Sequence, residues 1–172
     1  LQYTSGSTGS PKGVMVTHGN LWANSHAIHR FFGHHSESRG TIWLPHFHDM
    51  GLIGGLLQPV FGAFPCRVMS PMMLMKNPLN WLKQISDYQA TTSGGPNFAY
   101  ELCVRKIGRE QVETLDLSHW DVAFCGAEPI RPATLQRFSE HFAPAGFRPG
   151  AFLPCYGMAE TTLIVTGMDK GQ

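Results

Sequence analysis

The sequence predicts an α/β fold, a layered and largely parallel β-sheet with flanking helices. Two observations indicate this class: short apolar runs with the composition of strands recur along the chain, and candidate helices lie between most of them. The predicted strands are 1–4, 41–45, 66–70, 90–92, 122–125 and 153–156. Because strands that alternate with helices pair mostly in parallel, we expect one sheet with helices packed on it.

Three of the predicted helices have clear starts. The first is predicted to begin after Thr17, whose hydroxyl can cap it, and to end near Phe32. Pro78 and Pro132 are typical of the first turn of a helix, and each precedes apolar residues that recur about once per turn. These residues are Leu79, Leu82, Ile85 and Tyr88 in one helix and Leu135, Phe138 and Phe142 in the other.

Composition excludes several classes of protein. In 172 residues the chain is 42% hydrophobic and 15% charged, which predicts a globular domain. A net charge of +1 gives no electrostatic footprint for nucleic acid or for an acidic membrane. The four cysteines are far apart, so neither a zinc site nor a disulfide framework is indicated. The most apolar run, 50–64, is broken by Gln58 and Pro59 and is too short to span a bilayer. We therefore expect a cytoplasmic protein with no membrane span.

A glycine-rich segment near the start of the chain has the composition of a polyphosphate cradle. Glycines let the backbone bring N–H groups close to an oxyanion, and hydroxyls and a lysine surround them. The candidate ligands are Thr4, Ser5, Gly6, Ser7, Thr8, Gly9 and Lys12. Lys12 stands between Pro11 and Gly13, so the spacing of the Walker P-loop is not met. The alternative is an ordinary linker.

A second cluster, Tyr156, Gly157, Met158, Ala159, Glu160 and Thr161, follows a predicted strand, where open α/β sheets present ligand-binding groups. Glu160 is a hard oxygen ligand suited to Mg²⁺, although it could equally cap a helix or face solvent. A third cluster, Gly126, Ala127, Glu128 and Pro129, also follows a predicted strand. Its first two residues leave room for a flat purine against the backbone, and the alternative is a simple strand-to-helix turn.

The fourth segment runs from 43 to 55 and contains His46, His48 and Asp49. Consecutive donors on an extended segment point to alternating sides, which disfavours a metal site there. A glycine pair, Gly94 and Gly95, lies in a further segment from 91 to 100.

Together, and in this order, these segments resemble the adenylate-forming superfamily, enzymes that activate carboxylic acids with ATP. The His48-Asp49-Met50-Gly51 form and the 91–100 segment look like the fatty acyl-AMP ligase branch. The Phe-Asp pair expected of an amino-acid-activating domain is absent, because Asp49 follows His48.

The resemblance implies roles for individual residues. The adenine would contact the turn of residues 126–129, and the base and ribose would border Tyr156. Catalytic roles fall to Thr8, Lys12, His48 and Glu160, and the metal ligands would be Thr8 and Glu160. The acyl pocket would include His48, Asp49, Met50, Gly94, Gly95 and Asn97.

By the same resemblance, residues 1–172 are expected to be part of the large N-terminal AMP-binding domain, without the C-terminal domain that carries a lysine. The missing initiator Met, and a start inside a predicted strand, lead to the same expectation. The whole protein would use ATP and Mg²⁺ to convert a fatty acid to acyl-AMP and pass the acyl group to an acyl-carrier protein, or to a carrier domain of a polyketide or peptide synthase. The fragment alone is expected to be inactive. The alternatives are an acyl-CoA synthetase and a non-catalytic module that binds nucleotide or acyl groups.

Overall fold

A computed structural model describes residues 1–4, 11–168 and 170, and in them two sheets are formed. Strands β1 (Gln2–Tyr3) and β2 (Gly13–Val14) pair antiparallel as a small hairpin. The main sheet has six strands in the spatial order β4-β3-β5-β6-β7-β8. These strands are β3 (Gly40–Ile42), β4 (Cys66–Val68), β5 (Thr92–Gly95), β6 (Val122–Cys125), β7 (Phe152–Gly157) and β8 (Ile164–Gly167). Every neighbouring pair in the main sheet is parallel except β7 and β8, so the predicted α/β class is confirmed.

The α-helices are α1 (His18–Phe31), α2 (Gln58–Gly62), α3 (Pro71–Lys76), α4 (Leu79–Tyr88), α5 (Asn97–Lys106), α6 (Arg109–Val112) and α7 (Pro132–Phe142). A π-helix, Met50–Leu57, runs directly into α2, and a 3₁₀ turn, Ala159–Thr161, separates β7 from β8. Among the described residues, every helix is too short or too polar to cross a bilayer.

The predicted helix starts are confirmed by their local hydrogen bonds. The Thr17 hydroxyl accepts the Asn20 N–H at 3.1 Å, and the Asn20 side chain accepts the Thr17 N–H at 3.0 Å, which makes a reciprocal capping box. The amide oxygen of Asn77 accepts the Leu79 N–H at 3.1 Å at the start of α4. Helix α7 begins at Pro132 as predicted.

Two strand predictions were wrong in placement. The first run, 1–4, belongs to the separate hairpin rather than to the main sheet. The run 90–92 overlaps β5 only at Thr92, because the Ala90 N–H still bonds to the Ile85 carbonyl at the end of α4. Strand β5 instead continues through Gly94 and Gly95.

Buried aromatic residues fill the core, and the polar tips of three of them are hydrogen-bonded. The indole N–H of Trp81 donates to the Ser93 hydroxyl at 2.8 Å, and that of Trp120 donates to the Val122 carbonyl at 2.9 Å. The Tyr100 hydroxyl donates to the Phe124 carbonyl at 2.8 Å. The core is thereby fixed to the carboxyl end of β6, where the third sequence cluster begins.

Candidate active site

A cavity of about 630 Å³ opens beyond the carboxyl ends of β3, β6 and β7. This is where ligands bind in open α/β sheets. Its walls combine polar and apolar side chains. The lining residues are Gln2, Tyr3, Thr4, Lys12, Ile28, Phe32, Phe47, His48, Asp49, Met50, Gly54, Phe124, Ala127, Cys155, Tyr156, Gly157, Met158, Ala159, Glu160, Leu163 and Ile164. Parts of all the predicted clusters except 91–100 therefore meet in one cavity.

The β1–β2 hairpin brings the glycine-rich segment to this cavity. Thr4 directly follows β1, and Lys12 directly precedes β2. The Thr4 N–H donates to the Lys12 carbonyl at 2.9 Å, and the Lys12 N–H donates to the Thr4 hydroxyl at 3.1 Å. The Gln2 amide donates to the Phe47 carbonyl at 3.4 Å and so joins the hairpin to the segment that carries His48. The predicted ligands Ser5, Gly6, Ser7, Thr8 and Gly9 lie outside the described residues.

His48 and Asp49 form a hydrogen-bonded pair at the start of the π-helix. The Nδ1 of His48 lies 2.7 Å from Oδ1 of Asp49, and the Met50 N–H donates to the same oxygen at 2.6 Å. The Met50 nitrogen also lies 3.2 Å from Nδ1. Because the carboxylate is the nearer and charged acceptor for both groups, Nδ1 carries a proton and Nε2 remains available to a ligand.

The environment of this pair sets its charge. The hydrogen bond to Asp49 raises the pKa of His48 above its ordinary value, while partial burial opposes that rise. Asp49 is buried and His48 is about half exposed, so the carboxylate is shielded and the imidazole is open to the cavity. The hydrogen bond to Asp49 therefore favours the cationic form of His48 more than in a free imidazole.

The turn after β6 is hydrogen-bonded to the start of helix α5. Of its four predicted residues, only Ala127 lines the cavity, and it has a left-handed φ of 66°. The Glu128 carboxylate accepts the Phe98 N–H at 2.5 Å, at the helix N-terminus where a negative charge is stabilising. A second hydrogen bond joins the same two elements, because the Asn97 side chain accepts the Arg131 N–H at 3.0 Å.

Gly126 is buried in the same turn, and a Cβ there would lie 2.8 Å from the Cys155 carbonyl oxygen. Pro129 is exposed. Nucleotide contacts by Gly126, Glu128 and Pro129 stay predictions.

The second cluster surrounds the end of β7. Tyr156, Gly157, Met158, Ala159 and Glu160 all line the cavity, and Glu160 is exposed on the 3₁₀ turn. Thr161 does not line the cavity, and its hydroxyl donates to the Met158 carbonyl at 3.0 Å. A Cβ on Gly157 would lie 2.2 Å from the Leu163 carbonyl, so this turn closes only with glycine.

Three residues predicted for the acyl pocket lie outside the cavity lining. A Cβ on Gly94 would come within 2.2 Å of the Phe124 carbonyl oxygen, and one on Gly95 within 2.5 Å of the Trp43 ring. Close packing within the sheet therefore explains why glycine occupies both positions. Asn97 is buried and bonded to the turn after β6, so contact of these residues with an acyl chain stays a prediction.

Sequence reasoning missed the apolar part of the cavity. Ile28 lies on α1 and Phe32 is the residue at its C-cap, and their spacing of four residues is that of neighbours on one helix face. It could not show that the face borders a cavity rather than the core. The other apolar lining residues not predicted are Phe47, Phe124, Leu163 and Ile164.

Residues 1–172 match the sequence pattern of the AMP-binding enzyme family, and the chain belongs to that family. It is 51% identical over 172 residues to the medium-chain-fatty-acid–acyl-carrier-protein ligase JamA of Moorena producens, covering 100% of this chain and 29% of JamA. It is 48% identical over 167 residues to the ligase of the same description, TtuA, of Teredinibacter turnerae, covering 97% of this chain and 26% of TtuA.

Among solved structures, the chain is similar to the fatty acyl-adenylate ligase of Legionella pneumophila in complex with acyl adenylate and pyrophosphate. The TM-score is 0.97 with 53% identity, over 100% of this chain and 30% of that one. The chain thus spans less than a third of the length of these relatives.

Proposed function

We propose that the protein containing this chain activates a fatty acid with ATP, releases pyrophosphate and transfers the acyl group from acyl-AMP to the thiol of an acyl-carrier protein. The observation that carries this proposal is one cavity in which a lysine- and hydroxyl-bearing hairpin, a hydrogen-bonded His–Asp pair and an apolar wall meet. The names of JamA and TtuA, and the acyl adenylate in the Legionella complex, support the same chemistry.

The hairpin would bind the polyphosphate of ATP. Lys12 supplies a positive charge beside Thr4, and the predicted ligands of the 5–9 segment lie between these two residues in sequence. Such a cluster stabilises the negative charge that develops on the leaving pyrophosphate. The small Ala127 leaves room for the adenine, and Tyr156 would border the base and ribose.

The residues present fit a Mg²⁺ ion that is shared with the substrate. Glu160 offers an exposed carboxylate on the cavity wall, whereas no group of three His, Cys, Asp or Glu residues in the described part of the chain could hold a metal alone. Mg²⁺ is commonly bound by one or two protein oxygens together with phosphates. Glu160, with Thr8 as predicted, would hold the ion, which neutralises phosphate charge.

His48 would orient the reacting carboxylate and the α-phosphate. In the cationic form of His48, Nε2–H can donate to either anion, while Asp49 keeps the other nitrogen engaged. The substrate carboxylate oxygen forms the new bond to the α-phosphorus, and the bond to pyrophosphate breaks. The substrate is itself the nucleophile, so the chain needs to supply none.

The apolar wall favours an aliphatic acid over an amino acid. Phe32, Phe124 and Ile164 offer apolar surface for a hydrocarbon tail. An amino-acid substrate would need a free carboxylate for its ammonium group close to the reacting carboxylate, but Asp49, the carboxylate next to His48, is buried and engaged with His48.

The acceptor is tested by product analysis of the full-length protein with a medium-chain fatty acid, ATP and Mg²⁺. We expect acyl-AMP to accumulate in the presence of coenzyme A and to be consumed when a phosphopantetheinylated carrier protein is added. Efficient formation of acyl-CoA would assign the protein to the acyl-CoA synthetases. Nucleotide binding without acyl-AMP would support the non-catalytic module.

A further inference from the structure

The turn that carries Glu160 ends in a strained residue. Thr162 has φ 78° and ψ −60°, a conformation that is rare and strained for a residue with a side chain. Thr162 is also buried, with only 7% of its surface exposed. Strain of this kind persists where the surrounding structure fixes it, and it is concentrated at functional sites.

Asn24 of helix α1 holds the backbone on both sides of Thr162. Its amide nitrogen donates to the Ile164 carbonyl at 2.9 Å and to the Thr161 carbonyl at 3.3 Å. Its amide oxygen accepts the Ile164 N–H at 2.9 Å. The contacts join residues about 140 positions apart in sequence, and one side chain satisfies three backbone groups.

From this geometry we infer that Asn24 is a positioning residue, which holds the strained turn so that Glu160 faces the bound nucleotide and its metal ion. Glu160 immediately precedes Thr161, whose carbonyl Asn24 binds, and it lines the cavity. Helix α1 follows the β1–β2 hairpin, so the contact also links the hairpin side of the cavity to the Glu160 side. The inference rests on the proposed function, because it assigns Glu160 to the nucleotide end of the site.

Asparagine is suited to this role because it offers a donor and an acceptor on one short side chain. Asn24→Asp keeps an acceptor for the Ile164 N–H and loses both donated bonds. Asn24→Leu loses all three bonds at similar size. Asn80 provides a matched control, since its amide donates to the Met73 carbonyl at 3.1 Å on an exposed surface formed by α3 and α4.

The kinetic test uses the full-length protein in fatty-acid-dependent ATP–pyrophosphate exchange. We expect Asn24→Asp to raise the KM for MgATP about tenfold, the loss expected for two net hydrogen bonds, and to leave the KM for the fatty acid within about twofold. Asn80→Asp should change neither constant. Adding Thr162→Gly to Asn24→Asp should recover most of the loss, because glycine adopts a positive φ without strain. Equal increases in both KM values, or no rescue by glycine, would overturn the positioning role.

A second measurement does not depend on activity. Amide hydrogen exchange at Ile164 should be at least about tenfold faster in Asn24→Leu than in the wild type, with the amides of α4 unchanged as an internal reference. Unchanged exchange at Ile164 would overturn the contact itself. If the wild type forms no acyl-AMP, the proposed function fails, and the exchange experiment still tests Asn24. Faster exchange with an unchanged KM for MgATP would overturn the link between this turn and the nucleotide.

Discussion

Asp49 determines the charge and the available nitrogen of His48 through a single short contact. The carboxylate is buried while the imidazole is half exposed and faces the cavity. The cost of burying the carboxylate is offset by two donors, the Met50 N–H and the Nδ1 proton of His48. An imidazole held in this way can bind an anionic substrate through Nε2.

We predict that Asp49→Asn shifts the pH dependence of the reaction. Asparagine can still accept the Nδ1 proton but has no charge, so the pKa of His48 falls. The cationic form that binds the carboxylate is then lost at lower pH, and the alkaline decline in kcat/KM for the fatty acid should move to lower pH than in the wild type. The pH profile of kcat/KM measures this shift.

Asp87→Asn on the exposed face of α4 is the matched control and should leave the profile unchanged. An Asp49→Asn profile that coincides with the wild type would contradict the role given to this pair.

At the scale of elements, the close packing of β5 against β6 determines where Phe124 stands in the cavity wall. Gly94 pairs with Phe124 in the parallel register, and the space for a side chain at Gly94 is already filled by the Phe124 carbonyl and ring. Tyr100 fixes the same carbonyl from the other side through its hydroxyl. The cavity wall is therefore coupled to the interior of the sheet.

We predict that Gly94→Ala lowers the free energy of unfolding by at least about 2 kcal/mol, because a Cβ 2.2 Å from backbone oxygen forces the strands apart. The control is Gly150→Ala, where nothing lies within 4 Å of the added Cβ, and the expected change is within about 0.5 kcal/mol. Chemical denaturation of both variants measures the difference. Equal stabilities of the two variants would show that β5 and β6 can move apart without a loss of folding free energy.

Local signals predicted where α1, α4 and α7 begin, while the sheet required information that sequence periodicity does not hold. Thr17 and Pro132 start helices through contacts within a few residues, so their positions could be read directly. The hairpin of residues 1–4 and the end of β5 depend on which distant strand offers a partner. Glycines normally weaken a strand, and the pair at 94–95 therefore obscured β5 until its packing against Phe124 and Trp43 was seen.

The candidate site shows the same division. Motifs identified His48 and Glu160, and the cavity brings them together. Asn24 belongs to no motif, and its contacts lie about 140 residues away in sequence. Resemblance placed Glu128 in an adenine-contacting turn, and in the structure its carboxylate accepts a hydrogen bond from the start of α5.

At the scale of the whole molecule, long-range contacts hold the walls of one cavity together. Gln2 joins the hairpin to the His48 segment, Asn24 joins α1 to the turn after β7, and Glu128 joins the turn after β6 to α5. Each wall carries a different part of the proposed chemistry, so we expect the proposed reaction to depend on these contacts. The relatives JamA and TtuA are more than three times as long as this chain.

The most direct test of the account is fatty-acid-dependent ATP–pyrophosphate exchange by the full-length protein and its Glu160→Gln variant at saturating Mg²⁺. We predict exchange only when a fatty acid is present, and a loss of about 2–4 kcal/mol of transition-state stabilisation in the variant, since a charged oxygen is removed while the shape is kept. Glu113→Gln, an exposed substitution at the end of α6, should behave like the wild type. Exchange that does not depend on a fatty acid, or a Glu160→Gln rate within a few-fold of the wild type, would contradict the assignment of this cavity to acyl adenylation.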